Sequence, residues 1–250
     1  MGLGCIQESY GDSRPLSTSQ DMKSIVDALS AARLEPYLAA AEGDDGRALE
    51  YYRRNVLLCE AMYPTLHFLE VTLRNRFEIL LIQRYGGDWY INPVLTQILA
   101  GLPAEKQLRD ALNELKNRGR SLTSGGVVAE LSFGFWTGLL GNRYRGKFSG
   151  PGRWILFPRQ PVPAKGTGSV SAFEKSINAK LWNIRYLRNR VFHHEPIWAD
   201  PGLARKYQDI RLLVSWICPE VLRWSDESQL DRFPEIYHQV TGKELTITTS

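Results

Sequence analysis

Three cysteines in 250 residues, Cys5, Cys59 and Cys218, are too few, too scattered and odd in number for a disulfide framework. No such staple is needed, because a chain of this length buries one sizeable core or two small ones. Histidines are equally scarce: His67, His193, His194 and His238 are all there are. With no paired cysteine spacing, and with His193-His194-Glu195 contiguous rather than set a helical turn apart, no metal site is expected. No glycine loop of the phosphate-binding kind precedes a helix, so neither nucleotide hydrolysis nor any cofactor is expected. No run approaches the roughly 18 apolar residues of a membrane span, and the first residues lack the apolar core of a signal peptide. Met1-Gly2-Leu3-Gly4-Cys5-Ile6 has isoleucine where a myristoylation motif takes Ser or Thr. These absences point to a reducing cytoplasm and away from a membrane.

Acidic side chains are missing from one long stretch. The net charge is only +4, yet no Asp or Glu lies between Glu130 and Glu174. Within that gap Arg143, Arg145, Lys147, Arg153, Arg159 and Lys165 accumulate among Trp136, Tyr144, Phe148, Trp154 and Phe157. Cations interleaved with aromatic rings suit a single-stranded nucleic acid, whose phosphates pair with the cations while its bases stack on the rings, although several of these aromatics, Trp136 and Trp154 above all, equally suit a core. Arg143, Arg145, Lys147 and Arg153 are therefore the expected RNA-binding residues. Of 31 basic residues 22 are Arg, the side chain that recognises phosphate with a planar fork. Codon usage in a GC-rich genome also gives this bias, so the arrangement carries more weight than the count.

Periodicity along the chain is helical throughout. Residues 1–20 are polar, without period, and read as a poorly ordered leader; residues 21–240 read as one helical domain and 241–250 as a tail. Ile25, Leu29, Leu34 and Leu38 predict one or two short helices broken near Glu35-Pro36, followed by a turn over 42–46. From Ala48 to Tyr85 nearly every residue is a helix former, and Pro64 either starts a new helix there or kinks a long one; Gly86-Gly87 ends it. Helices are also expected over 108–117, 127–140 and 203–224, with a short one near Phe233. Gly141 to about Ser169 is Gly- and Pro-rich loop, with Trp154-Ile155-Leu156-Phe157 as a possible buried anchor. From Ser171 the positions Phe173, Ile177, Leu181, Ile184, Leu187 and Val191 make a continuous apolar stripe.

That helix ends in Arg188-Asn189-Arg190-Val191-Phe192-His193-His194-Glu195-Pro196. Arginine offers forked donors to a crowded phosphate, and histidine is the side chain best suited to move a proton near neutrality, so Arg188 and His193 are a candidate phosphodiester-cleaving pair. On an ideal helix residues five apart differ by about 140° in direction and about 7.5 Å in rise, so something must bring them together. Either the helix loosens ahead of Pro196, or two copies of this helix end meet in a dimer. Arg185, Asn189 and His193 share one polar stripe, which leaves open whether Arg185 or Arg188 lies nearer the imidazole. The same cations also suit a helix C-terminus with no chemistry attached.

The segment Arg188-Asn189 to His193-His194, followed by Pro196 and Trp198, resembles the signature of Abi-like proteins, the AbiD/AbiF-type abortive-infection family within the HEPN superfamily. Leu69-Glu70-Val71-Thr72-Leu73-Arg74-Asn75, with Tyr85-Gly86 and Trp89-Tyr90, is similar to that family's first block. Leu131-Ser132-Phe133-Gly134-Phe135-Trp136 with Leu139-Leu140 is similar to its central block.

The resemblance implies an all-α HEPN-like helical bundle, here with additional helices and a basic loop insertion, commonly a homodimer. It implies a metal-independent endoribonuclease of the toxin type, acting in phage defence, with a protein or RNA antitoxin as a further partner. Arg188 and His193 are its catalytic pair, Asn189 follows the Arg, and His194 fits the looser spacing the superfamily tolerates. Glu70 then orients the Arg or the His, unless it only pairs with Arg74 along its own helix. Glu195 stands where nucleotidyltransferase-paired HEPN toxins carry a tyrosine, so regulation by nucleotidylation is not implied. The competing reading is a non-catalytic RNA-binding or protein-interaction helical module.

Overall fold

Helix-forming sequence is realised as helix. The computed structural model describes residues 19–144, 146–148, 152–162 and 167–245; among these there is no strand, and twelve α-helices carry the chain. In order they are α1 (Ser19–Leu29), α2 (Ala31–Ala40), α3 (Asp45–Tyr85), α4 (Pro93–Leu99), α5 (Pro103–Asn117), α6 (Ser124–Glu130), α7 (Phe133–Leu139), α8 (Arg153–Leu156), α9 (Thr167–Phe192), α10 (Leu203–Ile217), α11 (Pro219–Glu227) and α12 (Phe233–Thr241). Single 3-10 turns cover Trp89–Ile91 and Asn142–Tyr144. The all-α expectation holds. The leader expected over 1–20 lies, up to residue 18, outside the described residues, and so do residues 246–250 of the tail.

Contacts divide the chain at Val56/Leu57 into two compact units, inside the span that reads as one domain in the sequence. In the first, α1 and α2 meet, and Leu34, Tyr37, Ala41 and Ala48 are buried, with the Tyr37 ring edge-on to Tyr52 at 5.4 Å. The break between the two helices falls at Ser30, not at Glu35-Pro36. Ser30 adopts φ 72° and its hydroxyl accepts the Arg33 N–H at 3.4 Å, capping α2, while Pro36 sits inside α2 beside the buried Leu34 and Tyr37.

The second unit holds one core. Leu58, Met62, Leu66, Leu69, Leu73, Phe77 and Leu80 of α3 join Ile177, Leu181, Ile184, Leu187 and Val191 of α9, together with the buried faces of α4 to α7 and α10. α3 runs unbroken through Pro64, whose missing N–H costs roughly 3 kcal/mol in an exposed helix. Burial of Leu66 and Leu69 beside it, about 1.5–3 kcal/mol each, offsets that cost. α3 is also long enough, and over one window of 18 residues apolar enough, to cross a membrane. Its leucines face the core described here. α9 packs on α7 and α10.

Other boundaries differ from the sequence reading for local reasons. The helix expected over 127–140 is two: Leu131 is extended, and Ser132 caps α7 by accepting the Phe135 N–H at 3.3 Å. The helix expected over 203–224 breaks at Cys218, which Pro219 holds out of the helical region, and Pro219 opens α11. In the acid-free stretch the core reading prevails for most of the aromatics. Trp136, Phe148 and Phe157 are fully buried and Tyr144 nearly so, with Trp136 against Phe77 at 5.5 Å. Of the five aromatics interleaved with cations there, read either as a stacking surface or as core, only Trp154 is exposed, at 39%. Filling the core outweighed any surface role for the other four.

Two predictions follow from this packing. Phe148→Ala should lower unfolding free energy by about 3–5 kcal/mol in urea titration, as for other buried aromatics; a change below about 1 kcal/mol would return Phe148 to the surface. Burial pushes the Cys59 thiol up to about 11, against the opposing charge of Arg190. Because the folded value is raised, the neutral thiol's contribution is fully present below the ordinary thiol range and lost as pH climbs through about 11. Between pH 9 and 11 Cys59→Ala should therefore lose less stability than the unmodified chain, and an identical decline would contradict the burial of this thiol.

Candidate active site

The end of α9 is closed by its own backbone. Asn189 C=O accepts the His193 N–H at 2.9 Å in the ordinary helical pattern. Then Val191 C=O accepts the His194 N–H at 3.2 Å and Arg190 C=O accepts the Glu195 N–H at 2.8 Å. These last two bonds are the paired 5→2 and 6→1 bonds of a Schellman cap. Its left-handed position is His194, at φ 58°. Glycine is the usual occupant, and histidine is among the few other residues found there. The helix therefore does not loosen gradually before Pro196. It stops after one regular bond to His193 and reverses at His194, which leaves both imidazoles exposed on consecutive residues.

Arg190 fixes the chain beyond the cap. Its guanidinium lies 3.8 Å from Glu195 and 3.8 Å from Asp200. Burial would raise the Asp200 pKa, but Lys206, the Gly202 N–H at 2.9 Å and Arg190 outweigh it and hold the carboxyl below its ordinary value. The loop carrying His194 to Asp200 is thus tied at both ends by charge.

Arg188 lies one turn earlier and on another side of the helix. Its Nε donates to a Glu70 carboxylate oxygen of α3 at 3.3 Å, and its guanidinium covers the Phe192 ring at 4.2 Å. Both members of the ion pair are about three-quarters buried. Its two terminal nitrogens hydrogen-bond to no described residue, so the partners fix the guanidinium plane and leave forked donors for an anion. Phe192 in turn meets Tyr63 of α3 at 5.6 Å, and Tyr63 stacks on His67 at 5.9 Å. Tyr63, His67 and Glu70 follow one another at helical spacing and fall within about 60° of one face of α3.

The structure brings together some of the expected residues and separates others. Glu70 meets Arg188, as a partner of the Arg. It forms no ion pair with Arg74, whose Nε is buried with no hydrogen-bond partner among the described residues. Asn189 is exposed and contributes its carbonyl to the helix. Arg185 is turned away, with its guanidinium 5.3 Å from the Trp182 ring and against Gly134 of α7. It lines a cleft of about 820 Å³ that also takes in Arg143. Lys147 is exposed and outside that cleft, and its carbonyl accepts from Arg84. Arg153 is half-buried over Trp154 at 5.0 Å, with Nε and Nη1 buried and without a hydrogen-bond partner among the described residues, so it is not the exposed phosphate hand expected of it. Arg145 lies outside the described residues.

Several residues at the site carried no signal that was read. Tyr63 and His67 precede Glu70 by seven and three residues, and a helical projection of α3 would have placed all three together. Phe192 looks like one more apolar helix residue until Arg188 is found on its ring. Among the described residues no group of three or more His, Cys, Asp or Glu side chains is placed to hold a metal ion. Compared with known proteins, the chain matches no family model, no curated protein and no solved structure.

A left-handed non-glycine residue costs roughly 1 kcal/mol. His194→Gly should therefore raise unfolding stability by about 1 kcal/mol, and the β-branched His194→Val should lower it, both measured by thermal or urea unfolding. Destabilisation by the glycine would show that the imidazole makes contacts worth more than the strain.

Proposed function

We propose that the end of α9 is the site of a metal-independent endoribonuclease of the Abi-like, HEPN type. The observation that carries this reading is Arg188, clamped by Glu70 and Phe192 with both terminal nitrogens unengaged, one turn from two exposed imidazoles. A guanidinium held in this way is pre-set to receive the charge that builds on a phosphorane, and needs little reorganisation when the charge appears. In the proposed reaction His193 takes the proton from an RNA 2′-hydroxyl, which attacks the adjacent phosphorus. Arg188 neutralises the added charge, and a second imidazole protonates the departing 5′-oxygen. The products are a 2′,3′-cyclic phosphate and a 5′-hydroxyl, and DNA is inert because it lacks the nucleophile.

The second imidazole is assigned to His194 or to another copy of the chain. Arg188 is drawn toward α3, while the regular bond from His193 to Asn189 keeps it about 140° further round the helix. A homodimer in which the Arg188 of one copy meets the His193 of the other removes this mismatch. The same mismatch also favours the competing reading, an RNA-binding module that holds phosphate without cutting it.

Single substitutions separate these readings. With a radiolabelled RNA in EDTA, Arg188→Ala and His193→Ala should each slow cleavage at least about a hundredfold. Glu70→Gln, which only unseats the arginine, should slow it by about tenfold. Mixing the two alanine variants should restore part of the activity if the site is shared between copies. RNA bound with normal affinity but never cut, by any of these proteins, would leave the non-catalytic module.

A further inference from the structure

Away from the α9 terminus, the cleft between α7, the turn over 142–144 and α9 has the composition of a ligand site. Among the described residues its lining contains Arg143, Lys175 and Arg185 and no carboxylate. No acidic side chain of the described residues lies within 4.0 Å of any of the three, whereas Arg53, Arg118, Arg190 and Arg211 are all paired. Like charges gathered without counter-charge repel one another, which an anion relieves. The volume, about 820 Å³, is that of a pocket for a nucleotide-sized ligand.

Beside these cations stands an aromatic ring that no core requires. Trp182 is 67% exposed at the cleft, with the Arg185 guanidinium over it at 5.3 Å. The floor is α7, whose Gly134 and Gly138 leave helix backbone bare. A Cβ at Gly134 would come within 3.7 Å of Arg185, so that side chain lies directly over the helix. A Cβ at Gly138 would meet nothing within 4 Å and would project into the open cleft.

We infer that this cleft binds one nucleotide unit of a single-stranded RNA, with its phosphate among Arg143, Lys175 and Arg185 and its base on Trp182. A base is available for such stacking only where it is not paired in a duplex, which selects single strands. Lys175, Trp182, Asn189 and His193 follow the same side of α9, and Arg185 precedes His193 by eight residues, about 12 Å of rise. A strand held in the cleft therefore runs along the helix toward His193, and the cleft fixes which nucleotides reach it. The inference takes RNA as ligand from the reading above and requires no cleavage.

The test is fluorescence anisotropy with a labelled twelve-nucleotide single-stranded RNA and the full chain carrying His193→Ala, so that the probe stays intact. Trp182→Ala should weaken binding about tenfold, and Trp182→Phe should retain most of it. Gly138→Leu, which changes no charge and replaces a poor helix former, should weaken binding similarly while the unfolding midpoint stays or rises. Replacing Arg143, Lys175 and Arg185 by Gln should lower the slope of log affinity against log salt by about 2. Unchanged affinity in Trp182→Ala and Gly138→Leu, or adenosine monophosphate binding as tightly as the oligonucleotide, would overturn the inference. Cleft variants that lose binding, while the unmodified chain cuts no RNA, would remove the nuclease reading and leave the cleft. Arg188-dependent cleavage with normal binding in the cleft variants would do the opposite.

Discussion

Burial of one face of α9 fixes where everything else on that helix points. Ile177, Leu181, Ile184, Leu187 and Val191 are held in the core, and each full burial is worth about 1.5–3 kcal/mol, so the helix cannot rotate. Arg188 is then forced to the edge of the buried face, where Glu70 stands. Lys175, Trp182, Asn189 and His193 are forced onto the open side. Lys180, flanked by Leu187 and Val191 around the helix, reaches the largely buried Asp209 of α10, and this further pins the helix about its axis. Chemistry-bearing residues are thus sorted by a constraint that involves none of them.

How much of this was legible in the sequence depends on the kind of signal. The stripe of α9 and the leucines of α3 could be read because burial imposes a strict period. The acid-free stretch from Leu131 to Phe173 could be seen, but whether its aromatics were surface or core could not. Composition records that Trp136 and Phe148 sit among cations in the chain, not that both turn inward to fill one core. The aromatic–cation surface exists elsewhere, on α9, where Arg185 covers Trp182 and Arg190 approaches Tyr186 at 5.8 Å. Their three- and four-residue spacing was visible, yet exposed and buried aromatics look alike until the core is known. The Glu70–Arg188 contact, across 118 residues, was reached only through the family resemblance.

Backbone detail was the least legible. Nothing in His193-His194 announces that the second residue takes a left-handed conformation, since glycine is the expected marker and is absent. The break at Leu131-Ser132 likewise depends on a serine hydroxyl finding one amide. Such caps decide where helices end, and here the cap decides that the two imidazoles point from a reversing chain and not along a regular helix.

Electrostatic neutralisation is distributed unevenly over the second unit. Arg211 is engaged by Asp226 and Asp231, Arg190 by Glu195 and Asp200, and Lys180 by Asp209, so these cations are structural. Among the described residues Arg188 has one carboxylate partner, and the cleft cations have no carboxylate partner. The most direct measurement on the central proposal is the identity of RNA ends left by the purified chain in EDTA. Mass spectrometry of the fragments should find 2′,3′-cyclic phosphate and 5′-hydroxyl termini that vanish with Arg188→Ala. Fragments carrying 5′-phosphates, or ends unaffected by that substitution, would contradict it.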